Sequence, residues 1–258
     1  MAIKKIIAAT AAALVCAGTA SAQDWYVSGS IGINAQSDSD NSGATDAFTT
    51  GNLGDGSTLD VAAGTDYGWK TEFDSGLSLA GEVGLKTAGG LRGGLELVYT
   101  NADVDTHTGV TLGGGSIDAV DAAALTGDAE AIGASVAAVV ADGQGDITTT
   151  GIFANVYYDF DTGNQFVPYV GAGIGFVDVD VEYSPSGVGI IDDGETKFAY
   201  QLRAGAGFEV SENVEVFGEY TYRASDDIEV NNDLFPGTLD IENQQNLFSV
   251  GVRYTFGR

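Results

Sequence analysis

His107 is the single histidine of this 258-residue chain, and Cys16 is its single cysteine. A serine nucleophile usually needs a positioned base, most often histidine, so His107 would have to fold onto a strand serine such as Ser249. It lies between two threonines in a segment that reads as a surface loop, and no spacing ties it to Ser249. Metal catalysis lacks a His/Cys cluster, and no specific aspartate pair stands out. The run Asp38-Ser39-Asp40-Asn41-Ser42-Gly43 imitates the opening of a calcium loop, but Thr49 stands where the bidentate acid belongs, which rejects an EF-hand. A solvated acidic surface is preferred there over weak divalent binding. These residue types predict a non-enzyme with no catalytic residues, no metal and no cofactor.

The chemistry that remains is ionic. Lys and Arg total 10 against 37 Asp and Glu, a formal charge of −27. No Lys or Arg occurs between Arg92 and Lys197, while acids keep recurring. So acidic a chain lacks the basic footprint that nucleic-acid binding requires. The few cations instead share segments with acids. Glu82, Glu96, Arg203, Glu219, Arg223 and Arg253 all sit in stretches of alternating apolar and polar residues.

Those stretches number eight, all of which read as strands. Residues 25–34 place Trp25, Val27, Ile31 and Ile33 on one face, and 77–86 place Leu77, Leu79, Val83 and Leu85. Residues 91–100 align Leu91, Leu95, Leu97 and Tyr99, and 150–160 align Ile152, Ala154, Val156, Tyr158 and Phe160. The fifth, 166–183, carries Val170, Ala172, Ile174 and Phe176, after which the apolar set switches to Val177, Val179 and Val181. That switch reads as the strand leaving the bilayer, with a bulge as one explanation. Residues 197–210, 214–223 and 245–257 complete the set, the last with Phe248, Val250, Val252, Tyr254 and Phe256 on one face.

Three short turns, at 88–90, 161–164 and 211–213, alternate with long loops at 35–76, 101–149, 184–196 and 224–243. Each apolar face spans the length a tilted strand needs to cross hydrocarbon. Aromatics gather at strand ends, as in the interfacial girdles of outer-membrane barrels. A soluble β-sandwich also alternates, but it does not explain the aromatic ends and loop asymmetry together. The fold class expected is all-β: an eight-stranded antiparallel up-and-down transmembrane β-barrel with short periplasmic turns and long extracellular loops. A ten-stranded variant would arise if Tyr67, Trp69, Thr71 and Phe73 formed an extra hairpin. In the second loop, Ile132, Val136, Val139 and Val140 would line one face of a short helix.

The start reads as a secretory signal, residues 1–22: Lys4 and Lys5, an apolar stretch from Ile6 to Val15, and Ala20-Ser21-Ala22 before the cut. Cys16 would leave with it. The barrel domain would then be residues 23–258, with a formal charge of −29 once Lys4 and Lys5 are removed (8 basic, 37 acidic). No separate periplasmic module is expected after Phe256.

The strand pair running from Gly76-Leu77 to Tyr99, the segment Pro168-Tyr169-Val170-Gly171-Ala172-Gly173 and the final Val250-Gly251-Val252-Arg253-Tyr254-Thr255-Phe256 resemble the outer-membrane β-barrel superfamily of opacity-type surface antigens and the OmpA membrane domain. The resemblance covers the strands but not the loops. It departs at the end, where Gly257 and Arg258 follow the aromatic that often closes family members. It implies the outer membrane of a Gram-negative bacterium, with lipid and lipopolysaccharide around the barrel. It also implies barrel-assembly machinery during insertion and a host or cell-surface ligand at the loops.

If the alternation holds, Glu82, Glu96, Arg203, Glu219, Arg223 and Arg253 point into the middle or upper lumen. Lys86, Arg92, Asp159, Glu209 and Glu215 lie near the periplasmic end. An eight-stranded interior is wide enough only for side chains, so mixed charges should form a salt-bridge network that plugs it. The function expected is a structural, surface-exposed barrel with acidic loops for surface interaction. The alternative is a small channel or transporter for ions or small apolar solutes.

Overall fold

In a computed structural model, residues 23–257 are described; the signal expected over 1–22 lies outside them. Fifteen strands form: β1 (Gln23–Gln36), β2 (Ser39–Thr45), β3 (Phe48–Thr49), β4 (Asp60–Val61), β5 (Asp66–Phe73), β6 (Gly76–Thr87), β7 (Leu91–Leu112), β8 (Gly115–Ser116), β9 (Gly145–Asp159), β10 (Phe166–Tyr183), β11 (Ile191–Glu209), β12 (Val214–Ser225), β13 (Ile228–Asn231), β14 (Gly237–Ile241) and β15 (Gln244–Thr255).

Eight of them pair in a ring: β1–β6–β7–β9–β10–β11–β12–β15 and back to β1, every pair antiparallel. Outward apolar residues stand opposite one another, as in Ala172↔Leu202, Leu202↔Tyr222, Tyr220↔Phe248 and Ile31↔Val250. Closing the ring gives each transmembrane backbone N–H and C=O a partner, which hydrocarbon demands. At the β6–β7 turn Gly90 takes φ 82°, and a Cβ there would lie 2.5 Å from the Asp159 carbonyl oxygen, so the turn needs glycine.

Above this ring stands a second storey. β5 pairs with the upper part of β7, β2 with β5, β14 with β2 and β13 with β14. β7, β9, β10 and β11 continue upward without interruption and supply the rest of its wall. The long loops at 35–76, 101–149 and 224–243 therefore contain the strands of this storey. Tyr67, Trp69, Thr71 and Phe73 belong to β5 of this cap, so the membrane ring keeps eight strands. The helix expected in the second loop is confined to Val136–Val140, with Val136 and Val140 buried, and Ile132 lies outside it, exposed.

β10 shows how one strand serves both storeys. Its register with β11 runs unbroken from Phe166↔Phe208 to Tyr183↔Ile191, so the switch after Phe176 involves no bulge. Odd-numbered side chains face inward throughout. Below, they are Tyr169, Gly171, Gly173 and Gly175; above, they are buried Val177, Val179, Val181 and Tyr183. Outward residues change in the opposite sense, from Val170, Ile174 and Phe176 to Asp178, Asp180 and Glu182. The geometry continues while the chemistry inverts.

Candidate functional site

The membrane ring aims its charges into its own lumen, in layers. Nearest the periplasmic turns, Arg92 Nε donates to both oxygens of Asp159 at 2.8 and 3.0 Å, and Lys86 Nζ lies 3.1 Å from the same carboxylate. The Arg92 guanidinium sits 4.3 Å from the Tyr157 ring centroid and 4.9 Å from that of Tyr169, a cation–π cage. Arg253 pairs with Glu215 across β15 and β12. Glu209, at the end of β11, borders a wide recess between the turns with Asp24, Lys86 and Asp159.

The central layer turns on Arg203. Its Nη1 lies 2.9 Å from Glu96 Oε2 and donates to the Tyr157 hydroxyl at 2.6 Å, while Nε donates to Glu219 Oε1 at 3.0 Å and Nη2 contacts the same oxygen. Glu82 accepts from the hydroxyls of Tyr26 and Tyr157, both at 2.6 Å, and from Asn155 Nδ2 at 2.7 Å. Gln201 Nε2 donates to Glu96 at 2.8 Å. Higher still, Arg223 meets no carboxylate: it donates to Gln201 Oε1 and Gln245 Oε1, each at 3.1 Å, and stacks on Phe153.

The structure thus buries Glu82, Glu96, Arg203, Glu219, Arg223 and Arg253 and joins four of them, Glu82, Glu96, Arg203 and Glu219, in one cluster. Arg253 belongs to the lower layer, and Arg223 to a layer of amides. Five buried acids (Glu82, Glu96, Asp159, Glu215, Glu219) stand against four buried cations (Arg92, Arg203, Arg223, Arg253), with half-buried Lys86 beside Asp159, so the lumen's charges largely cancel inside a strongly acidic protein. The space left around Arg203 is ≈ 10 Å³, about one water. Tyr26, Asn155, Tyr157, Tyr169 and Gln201 complete the network and were not singled out from the sequence. The parity that selects Arg203 and Glu96 selects them too.

His107 is a correction to the sequence reading. It is not on the surface but 2% exposed, because β7 extends twelve residues beyond Thr100 and carries it into the cap. Burial pushes its pKa down to about 4, with Asp142 pulling weakly the other way. The Asp38–Gly43 run is likewise no loop: β2 turns Ser39 and Asn41 inward. Among the described residues no group of three or more His, Cys, Asp or Glu side chains is placed to hold a metal ion.

Residues 75–256 match the family described as outer membrane protein beta-barrel domain. The chain belongs to that family. Outer membrane protein PagN of Salmonella typhimurium is 26% identical over 124 residues, a match covering 44% of this chain and 52% of PagN. The chain thus spans about half the length of that curated relative. Among solved structures, Neisserial surface protein A is 16% identical (91% of this chain, 99% of that one, TM-score 0.46). The outer membrane protein OprG from Pseudomonas aeruginosa is 15% identical (92% and 98%, TM-score 0.48). As an outer-membrane barrel of this family, the protein resides in the outer membrane of a Gram-negative bacterium, surrounded by lipid and lipopolysaccharide.

Proposed function

We propose that this barrel is a non-catalytic structural protein of the outer membrane whose lumen is plugged by its own charges and whose acidic cap is the part offered to other surfaces. The Arg203 cluster carries this reading. A guanidinium held by Glu96, Glu219 and the Tyr157 hydroxyl, with room for about one water beside it, leaves no continuous path for ions. A permeation lane would need unpaired, hydrated groups, whereas each carboxylate of the central layer is engaged by at least two donors.

The cap exterior is dominated by carboxylates such as Asp103, Asp146, Glu182 and Asp192, which lie in register across β7, β9, β10 and β11. Such a surface suits recognition by a host or cell-surface ligand better than chemistry. The Thr71–His107 hydrogen bond, at 2.8 Å, is a base beside a hydroxyl, but both side chains are buried in the cap core, out of reach of a substrate. Insertion would pass through the barrel-assembly machinery, with strand β15 as the signal.

Conductance in planar bilayers tests the plug. The wild-type protein should be silent, with leakage appearing in Arg203→Ala and Glu219→Ala. Reproducible wild-type conductance would replace this reading with a small channel.

A further inference from the structure

The wall of the cap has one unfinished edge. β12 pairs with β11 as far as Ala199↔Ser225, and above that level no ladder joins β11 to β13, the strand that follows β12. The two nevertheless keep the antiparallel step of the ladder below. Asp226 N–H donates to the Phe198 carbonyl at 3.1 Å at the bottom of this seam, and Asp233 N–H to the Ile190 carbonyl at 2.8 Å at its top. Between these two backbone bonds, carboxylates take the place of carbonyls. Glu229 N–H donates to Glu195 Oε2 at 3.1 Å, and Asn231 N–H to Asp193 Oδ2 at 3.2 Å.

Strand parity makes these acids unexpected. Ile191 and Ala199, on the same inward face of β11, are buried, yet Asp193, Glu195 and Lys197 between them are half-buried. Opposite them β10 presents Val181, Val179 and Val177, while its own acids, Asp178, Asp180 and Glu182, face outward. A carboxylate stays charged beside apolar side chains only if donors hold it. Asp193 Oδ1 accepts from Gly194 N–H at 2.8 Å, Asp193 Oδ2 also accepts from Asn231 Nδ2 at 2.9 Å, and Glu195 Oε2 lies 2.9 Å from Lys197 Nζ. The other charges along the seam, Asp192, Asp226, Asp227, Glu229 and Asp233, are all acids. The donors prevail over them: Asp193 is held below the usual carboxylate range chiefly by the Asn231 backbone N–H, and Glu195 chiefly by Lys197.

We propose that the middle of this seam is an acid-opened slot in the cap wall: while Asp193 and Glu195 are ionised they hold β13 against β11, and on protonation the two strands part between the flanking backbone bonds. A neutral carboxyl group accepts more weakly than a carboxylate. Both acids are held below their ordinary range in the closed seam, so their grip is complete above about pH 4 and is lost as pH falls lower. The bonds of Asp226 and Asp233 use carbonyls and do not titrate, and the β13–β14 and β14–β2 ladders keep the hairpin in its sheet. The opening is therefore bounded above and below. Behind it stand Ile228 and Val230 of the cap core, which water reaches through the slot while the membrane ring stays closed.

Amide hydrogen exchange in lipid nanodiscs reads the slot directly, as protection factors that correct for the pH dependence of exchange itself. At about pH 7, where His107 is neutral, Asp193→Asn together with Glu195→Gln should lower protection of the Glu229 and Asn231 amides about tenfold, the difference between a charge-assisted bond and a neutral one. The Asp226 and Asp233 amides and the β2–β5 ladder should be unchanged. Acidifying the wild-type protein to about pH 3 should produce the same local loss, and the loss should persist in His107→Leu, which lacks the other acid-sensitive group of the cap. Unchanged protection in the carboxamide variant, or an acid loss spread evenly over the cap and abolished by His107→Leu, would overturn the proposal. The wild-type ratio of Asn231 to Asp233 protection at the two pH values decides even if neither variant folds.

Discussion

The lumen and the cap are built on the same strands and hold together by opposite means. In the membrane ring one buried cluster is three aromatics, Tyr157, Tyr169 and Phe217, among nine buried charged side chains. In the cap, Val104, Val181, Ile228, Leu239 and Ile241 join Tyr67, Trp69, Tyr183 and Phe235 in one apolar core, and the acids face out. The difference follows from what lies outside each wall. Lipid takes the apolar face of the lower strands, so inward positions are left to polar groups that satisfy one another. Water surrounds the upper strands, and the hydrophobic effect fills the interior. On β10 the exchange is complete between Gly175 and Val177, two consecutive inward positions.

If the lumen is held by pairing, removing one partner should be its largest injury. Arg203→Ala strands Glu96 and Glu219 together, and unfolding from lipid vesicles should show a loss of about 3–5 kcal/mol. Adding Glu219→Ala should recover part of that loss, but not all, because Glu96 stays unmatched. A single variant no worse than the double would break the account of the lumen.

The cap should respond to acid through His107. His107 is neutral in the folded cap with its pKa near 4, below the ordinary value of 6.5. The unfolded segment takes up a proton below about pH 6.5 and the folded one does not, so cap stability is full above that pH and declines as pH falls toward 4. The loss should approach about 3 kcal/mol. Hydrogen exchange at β2, β5 and β14 should record it, and His107→Leu should flatten the profile.

The smallest effect is expected between β11 and β13, where Glu195 and Asp193 accept from the Glu229 and Asn231 backbone N–H groups. Asp193 is held below the usual carboxylate range, first by the Asn231 backbone N–H. Its contribution is therefore present above pH 4 and lost as pH falls lower. Asp193→Asn should speed exchange of the Asn231 amide while leaving the membrane strands unchanged.

The lower ring was legible because lipid-facing residues repeat every second position with little interruption: Ile31, Ile33, Leu95, Leu97, Val250 and Val252 each mark their strand, and inward Arg203 or Glu96 follows by parity. The cap was not. Its first strands turn Ser39, Asn41 and Thr71 inward at the junction, so they read as polar loop. Register shifts between β5 and β7, at Gly68/Lys70 and Glu72/Phe73, break the two-residue period on either side of His107. Ile228, Val230, Leu239 and Ile241 did alternate, but an apolar period of four or five residues is too short to cross a membrane. Parity alone puts Arg203 and Glu219 in one lumen, where opposite charges can pair. That Arg203 also holds Glu96, and that Arg223 turns to amides, required side-chain geometry.

The inversion along β10 is the central claim, and cysteine scanning through it is the most direct measurement. In a Cys16→Ser background, single cysteines at Ile174, Phe176, Val177, Asp178, Val179 and Asp180 would be challenged with a water-soluble maleimide in vesicles. Rapid labelling at 178 and 180, with protection at 174 and 176 by lipid and at 177 and 179 by the cap core, is the predicted result. Labelling at 177 and 179 would mean that the upper strand has no packed interior, and the two-storey account would fail.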